Sequence, residues 1–322
     1  LFPFRGEQLP RPMLMKYARS ADRATRRECY EVLGTTLAAH SEQLDDIFDR
    51  LVHVRDRMAR KMGYENFIEL GYCRMERMCY DVQAVQTFRE NIVRDIVPVV
   101  SRLRLENAKR LGIDTFRLYD NEVFTPGGDP TPCGKEALFA AAQKMYDGMG
   151  DVPGAFFRMM CENEAFDVDA RPNKWGGGYC TEFVKYHQPF ILANFNGTSG
   201  DVDVVTHEAG HALNAYLIAN NRFALELGCG GMETAETHSM SMEFFAWPYL
   251  DGFFPKAGDA QRYRFQHALD ALSFLPYGTM VDEFQHRIYA EPDLTPAGRN
   301  AVWLELEAKY RPYIDQRGIP YL

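Results

Sequence analysis

Long apolar runs are missing from this 322-residue chain. No stretch reaches the roughly 18 apolar residues of a membrane span, so no transmembrane helix is expected. Positive charge is also in short supply: 36 Lys and Arg face 45 Asp and Glu, a formal charge of −9. That balance excludes the basic footprint of a nucleic-acid binder and disfavours an anionic membrane surface. No basic start followed by an apolar stretch resembles a signal peptide. The seven cysteines are an odd number and never form a C-x-x-C pair. A disulfide framework or cysteine zinc ribbon is therefore not expected, and a reducing, cytoplasmic setting is. A G-x-S-x-G nucleophile elbow and a G-x-x-x-x-G-K phosphate loop are both absent. What remains is 46% hydrophobic and 25% charged, enough to bury a sizeable core.

Most of the chain reads as helix. From Arg26 to Met62 apolar residues recur every three or four positions, and the stripe Leu44, Ile47, Leu51 and Val54 is expected to pack on the core. Ala84 to Leu111 is helical again, with a kink or restart at Pro98. The Pro- and Gly-rich segment 119–134 is a loop excursion within a single catalytic domain spanning residues 1–322. Lys135–Asp147 and Ala155–Glu162 read as helices, and Asp167–Gly178 as a polar, glycine-rich loop. Pro189–Phe195 is the best strand, a short apolar run ending at Asn196-Gly197. From Asp201 onward the chain is helical, with breaks expected at Leu227–Gly231, Leu275–Gly278 and Glu291–Ala297.

The chemistry lies in Thr206-His207-Glu208-Ala209-Gly210-His211. On a helix, His207 and His211 fall on one face about one turn apart, a spacing that lets two imidazoles share one zinc ion. Glu208 then projects beside the metal rather than onto it. There it can take a proton from water and pass it to the leaving amine. A catalytic zinc needs a third protein ligand and an open position. The metzincin spacing fails, because Asn214 and Leu217 stand where glycine and histidine are required. The thermolysin-like and aminopeptidase-like positions hold Gly231 and Gly230. Glu226, Glu233, Glu236, Glu243, His238, His267 and His286 remain downstream.

Taken with Glu236-Thr237-His238-Ser239-Met240-Ser241-Met242-Glu243, the histidine motif resembles the thimet oligopeptidase / oligoendopeptidase F family of zinc metallopeptidases. The likeness extends to Gly176-Gly177-Gly178-Tyr179-Cys180, Pro189–Phe195, Asn196-Gly197-Thr198 and Asp201–Val204, and to Arg55–Tyr72 and Tyr277–His286. The resemblance implies a mainly helical, zincin-type catalytic domain with a small sheet beside the active-site helix. It implies one Zn2+ held by His207, His211 and Glu236, with Glu208 as general base and acid. Glu233 or Glu243 would hydrogen-bond a ligand histidine or belong to a solvated acidic stripe. Asp203, one turn before His207, would orient a ligand or cap the helix. An exposed edge of the Pro189–Phe195 strand would hold an extended peptide through its backbone, with Phe190, Ala193 and Asn194 in contact. Gly177 and Gly178 would let a loop approach the substrate, and His238 would touch substrate or point elsewhere.

Members of the family carry a later loop with a histidine and several tyrosines, and an N-terminal helical lobe. The sequence holds neither, which makes the central part of a longer peptidase the expectation. Two readings follow. One is a zinc endopeptidase acting on short peptides, with no nucleic-acid or membrane partner. The other is a zinc-binding fragment that holds peptides or partners with impaired catalysis.

Overall fold

A computed structural model describes residues 1–221 and 230–320. Cys229, Glu226 and most of the break expected at Leu227–Gly231 lie outside the described residues. The chain forms two compact units. The first comprises residues 1–29 and 127–265, the second residues 30–126 and 266–322. One boundary falls at Pro126/Gly127, inside the segment read as a loop. No described helix is long and apolar enough to cross a membrane.

The first unit opens with a small hairpin, β1 (Phe2–Phe4) against β2 (Glu7–Leu9). Its core joins the helices Lys135–Met149 and Asp151–Glu162 to a three-stranded sheet and to the helix carrying the histidines. Tyr146, Phe156, Phe157 and Met160 are fully buried there, and Tyr146 and Phe157 stack at 4.7 Å. The sheet consists of β3 (Phe166–Asp169), β4 (Tyr179–Phe183) and β5 (Gln188–Phe195), in the order β3-β5-β4. β5 is parallel to β3 and antiparallel to β4. Along β5, Pro189, Ile191 and Ala193 alternate inward, the period-two burial of a strand.

The order corrects one expectation. The predicted strand exists, but it is the middle one, so partners on both sides already occupy its backbone groups. Among the described residues, the outer edges of this sheet belong to β3 and β4. β3 and β4 fall in or beside the stretch read as a loop. Each is short, and Lys135 and Arg171 neutralise the aspartates of β3.

In the second unit, the stripe Leu44, Ile47, Leu51 and Val54 does not pack on a core; these residues are 37–52% exposed. The inward face of the Ser41–Lys61 helix is offset by about one position and carries Val52 and Ala59. It also carries Asp49, 2.7 Å from the guanidinium of buried Arg299. A buried cation needs a carboxylate, and that need sets which face turns in. At Pro98 a π-helical turn, Ile92–Ile96, immediately precedes the Val97–Arg110 helix. A proline cannot donate to the carbonyl four residues back, and the wider turn absorbs the gap. The break expected at Leu275–Gly278 is not formed: Asp259–Ala290 is one helix with Pro276 inside it. Burial of Leu269, Met280 and Ile288 on either side holds it together despite the lost bond.

Candidate metal centre

Two helical segments of the first unit build the site. Gly200–Asp203 leads into a π-helical turn, Val204–Glu208, and then into the α-helix Ala209–Asn220. The wide turn frees carbonyls that an α-helix would pair. The buried hydroxyl of Tyr146 donates to Val205 O at 3.0 Å, and Thr206 Oγ1 donates to Val202 O at 3.1 Å. Those bonds offset the strain of an irregular turn at the motif itself.

The second segment, Met232–Phe245, crosses the first at close range. Gly210 makes this possible. A Cβ there would lie 2.9 Å from Ser239 Cα and 3.0 Å from His238 O, both backbone atoms. The near approach brings Glu236 to the histidines.

His207 and His211 sit with ring centroids 5.1 Å apart, one edge toward the other. Glu236 Oε2 lies 3.3 Å from His207 Nε2 and 3.7 Å from His211 Nε2. These three side chains form the one group among the described residues able to converge on a metal ion. A tetrahedral zinc with bonds of about 2.0–2.1 Å holds its ligand atoms roughly 3.3–3.4 Å apart, close to the spacing found. Two imidazoles and one carboxylate also match the donor set of catalytic zinc sites, so the residues fit the ion.

The surroundings orient each ligand. Glu243 Oε1 is 2.6 Å from His207 Nδ1. With that nitrogen donating, the neutral ring keeps Nε2 free on the side where Glu236 lies. Ser239 Oγ donates to Glu236 Oε2 at 2.8 Å and is itself fully buried. Burial acts to lower the His207 pKa, but Glu243, Glu208 and Glu236 outweigh it and the net direction is upward. Burial lowers that of His211. Glu243→Gln is expected to weaken zinc binding about 10- to 100-fold, measured by competition with a chromogenic chelator. An unchanged affinity would remove Glu243 from that role.

Glu208 stands apart from the three. Burial raises its pKa, and the backbone N–H of Cys180 opposes that rise. A Cβ on Gly178 would reach 3.3 Å from Glu208 Oε1, so the glycine loop and β4 flank this carboxylate.

The other expected residues divide. Asp203 accepts a hydrogen bond from the buried hydroxyl of Tyr263. Glu233 lines a cleft of about 270 Å³ together with Glu236, Thr237, Met240 and Phe244. His238 keeps Nδ1 buried without a hydrogen-bond partner. Gly177 and Gly178 are exposed. The three contacts expected on β5 sit on the central strand of the sheet. Ala193 is fully buried, and Phe190 packs against the core and lies 6.0 Å from Phe183. Both amide hydrogens of Asn194 go to the loop carbonyls of Trp175 and Gly177, each at 2.9 Å. Asn194 shapes the glycine loop from below. Sequence reasoning missed Ser239, Tyr146 and Tyr263. Of these only Ser239 left a sign, three places past Glu236 and thus one helical turn on.

The chain resembles known proteins throughout. The profile of peptidase family M3 matches residues 16–126 and 151–317. Oligopeptidase PepF of Bacillus subtilis (strain 168) is 22% identical over 316 residues, covering 94% of this chain and 45% of that protein. The structure of Pz peptidase A with an inhibitor superposes with a TM-score of 0.94 at 42% identity, over 98% of this chain and 56% of that one. A protein described as an oligoendopeptidase F of Bacillus anthracis str. Ames gives 0.92 at 40% identity, over 97% and 57%. This chain therefore spans about half the length of the relatives it matches.

Proposed function

The chain belongs to peptidase family M3, and from that premise we propose that it is the zinc-binding catalytic part of an oligoendopeptidase acting on short peptides. The observation that carries this reading is the convergence of His207, His211 and Glu236 within ligand distance, with Glu208 beside them and outside the group. When bound, zinc would lower the pKa of water and polarise the scissile carbonyl. The rest falls to the chain's own residues. Glu208 accepts a proton from water at its carboxylate and returns it to the leaving amine nitrogen. Glu243 holds His207 in the tautomer that ligation requires, and Ser239 holds Glu236.

The free edge of β4 offers the docking track. Cys180 turns its backbone N–H toward Glu208, away from β5. By strand alternation the backbone groups of Gly178 and Glu182 lie on that same edge. An extended peptide paired there passes Glu208 whatever its sequence, because main-chain bonds hold it. The exposed Tyr179 and Phe183 lie along the same strand, where they can meet its side chains. The odd number and scattered spacing of the cysteines are the basis on which we place the protein in a reducing, cytoplasmic setting.

The test is cleavage of a quenched fluorescent peptide with and without a chelator. Turnover that stops with chelator and returns on adding zinc is expected. Peptide binding without turnover would contradict the catalytic reading and favour a zinc-containing peptide binder.

A further inference from the structure

The second unit contains a cleft of about 260 Å³ between the helices Ser41–Lys61, Phe67–Arg74 and Asp259–Ala290. That volume lies just below the usual range for ligand pockets and suits a small molecule. One wall is apolar, made by Phe67, Ile68 and Met75. The polar wall is unevenly spent. Asp282 is the only carboxylate in the lining, and Arg77 and Arg89 already hold it at 3.1 and 2.8 Å. His286 directs Nδ1 to the backbone carbonyl of Asp282 at 2.8 Å, and its Nε2 meets the hydroxyl of Tyr72 at 3.0 Å. Both ring nitrogens of His286 and the hydroxyl of Tyr72 are thereby engaged.

Two cations are left over. Arg55 lies over the rings of Phe67 and Tyr289, at 5.5 and 5.9 Å, and donates from one nitrogen to the Tyr289 hydroxyl. Its other N–H groups face no carboxylate among the described residues. Arg74, exposed in the last turn of its helix, has no ion pair among them either, and exposed Gln285 stands in the same lining. Two guanidinium forks and an amide at the mouth of an apolar cleft make a receptor for an oxyanion on an apolar stem.

We propose that this cleft binds a small organic carboxylate, its charge taken by Arg55 and Arg74 and its apolar body lodged against Phe67, Ile68 and Met75. The site is independent of the zinc-peptidase reading.

Calorimetric titration of the zinc-loaded chain tests it, with phenylpropionate, phenylpropionamide and inorganic phosphate as probes. Phenylpropionate is expected to bind once per chain. The neutral amide, phosphate and the Arg74→Ala variant should each weaken binding by about tenfold or more, with zinc content unchanged in the variant. Arg74→Lys, which keeps the charge, should recover part of the loss. Arg55→Gln gives a second measurement on the other cation. Equal binding of the amide would overturn the proposal, because the charge is then not read. Equal binding of phosphate would overturn the apolar half. Undiminished binding in both variants would place the carboxylate elsewhere on the chain.

Discussion

Glu208→Gln is expected to lower kcat/KM on a quenched peptide by about 100- to 10,000-fold while bound zinc stays at one per chain. The substitution keeps the size and shape of the side chain and removes only its ability to accept a proton. Glu208 lies outside the group His207, His211 and Glu236, so metal affinity has no reason to fall. Its carboxylate is packed against the Gly178 loop and takes the Cys180 N–H, and a glutamine oxygen can accept that same bond. Stability should therefore move little. Zinc measured by atomic absorption and turnover measured on the same preparation separate the outcomes. Full activity in the variant would rule out Glu208 as the proton carrier. Loss of zinc would show it to be structural instead.

Gly210→Ala is expected to disturb the site more deeply, although it touches no ligand. In a helix, alanine is intrinsically favoured over glycine by about 1 kcal/mol. Here the added methyl would stand 2.9 Å from Ser239 Cα, 3.0 Å from His238 O and 3.1 Å from Met242 Cβ. Two of these are backbone atoms of the opposing helix, so no side-chain rotation relieves the contact. Overpacking of this kind costs about 1–3 kcal/mol, which matches or exceeds the propensity gain. The helices separate instead, and Glu236, one turn before Ser239, moves off His207 and His211. The expected result is a zinc affinity at least about tenfold weaker, since misplacing a ligand's support typically costs 10- to 100-fold. A variant more stable than the parent and fully zinc-loaded would show that this close crossing does not hold the ligands together.

The site was legible in the sequence because its chemistry is written in spacing. His207 and His211, four apart, could meet only on a helix, and Glu208 between them could not point the same way. Glu236 was harder. No periodicity links it to His211, and only the likeness of its surrounding residues to a family singled it out among several downstream acids. Local pattern could not reveal what depends on tertiary contact. Tyr146 supports the π turn from 59 residues away in sequence. Gly210 reads as an ordinary helical glycine until the crossing helix is seen.

The same limit explains the fold-level errors. Pro189–Phe195 announced itself as a strand, but its apolar run did not say whether it was an edge or the centre. An apolar run is what a central strand requires, and two short polar-flanked partners gave no matching signal. The Leu44–Val54 stripe followed the rule for a core-facing helix, yet the need of Arg299 for Asp49 turned the helix another way. Pro276 marked a helix end that packing overrode.

The account rests on one coordination sphere. Zinc K-edge X-ray absorption on the purified chain reads it directly, with Glu236→Gln as the paired sample. The prediction is a nitrogen and oxygen shell at about 2.0–2.2 Å with imidazole scattering from two histidines, and loss of occupancy or an altered shell in the variant. A sulfur shell near 2.3 Å, or a spectrum and zinc content identical in the two samples, would contradict it.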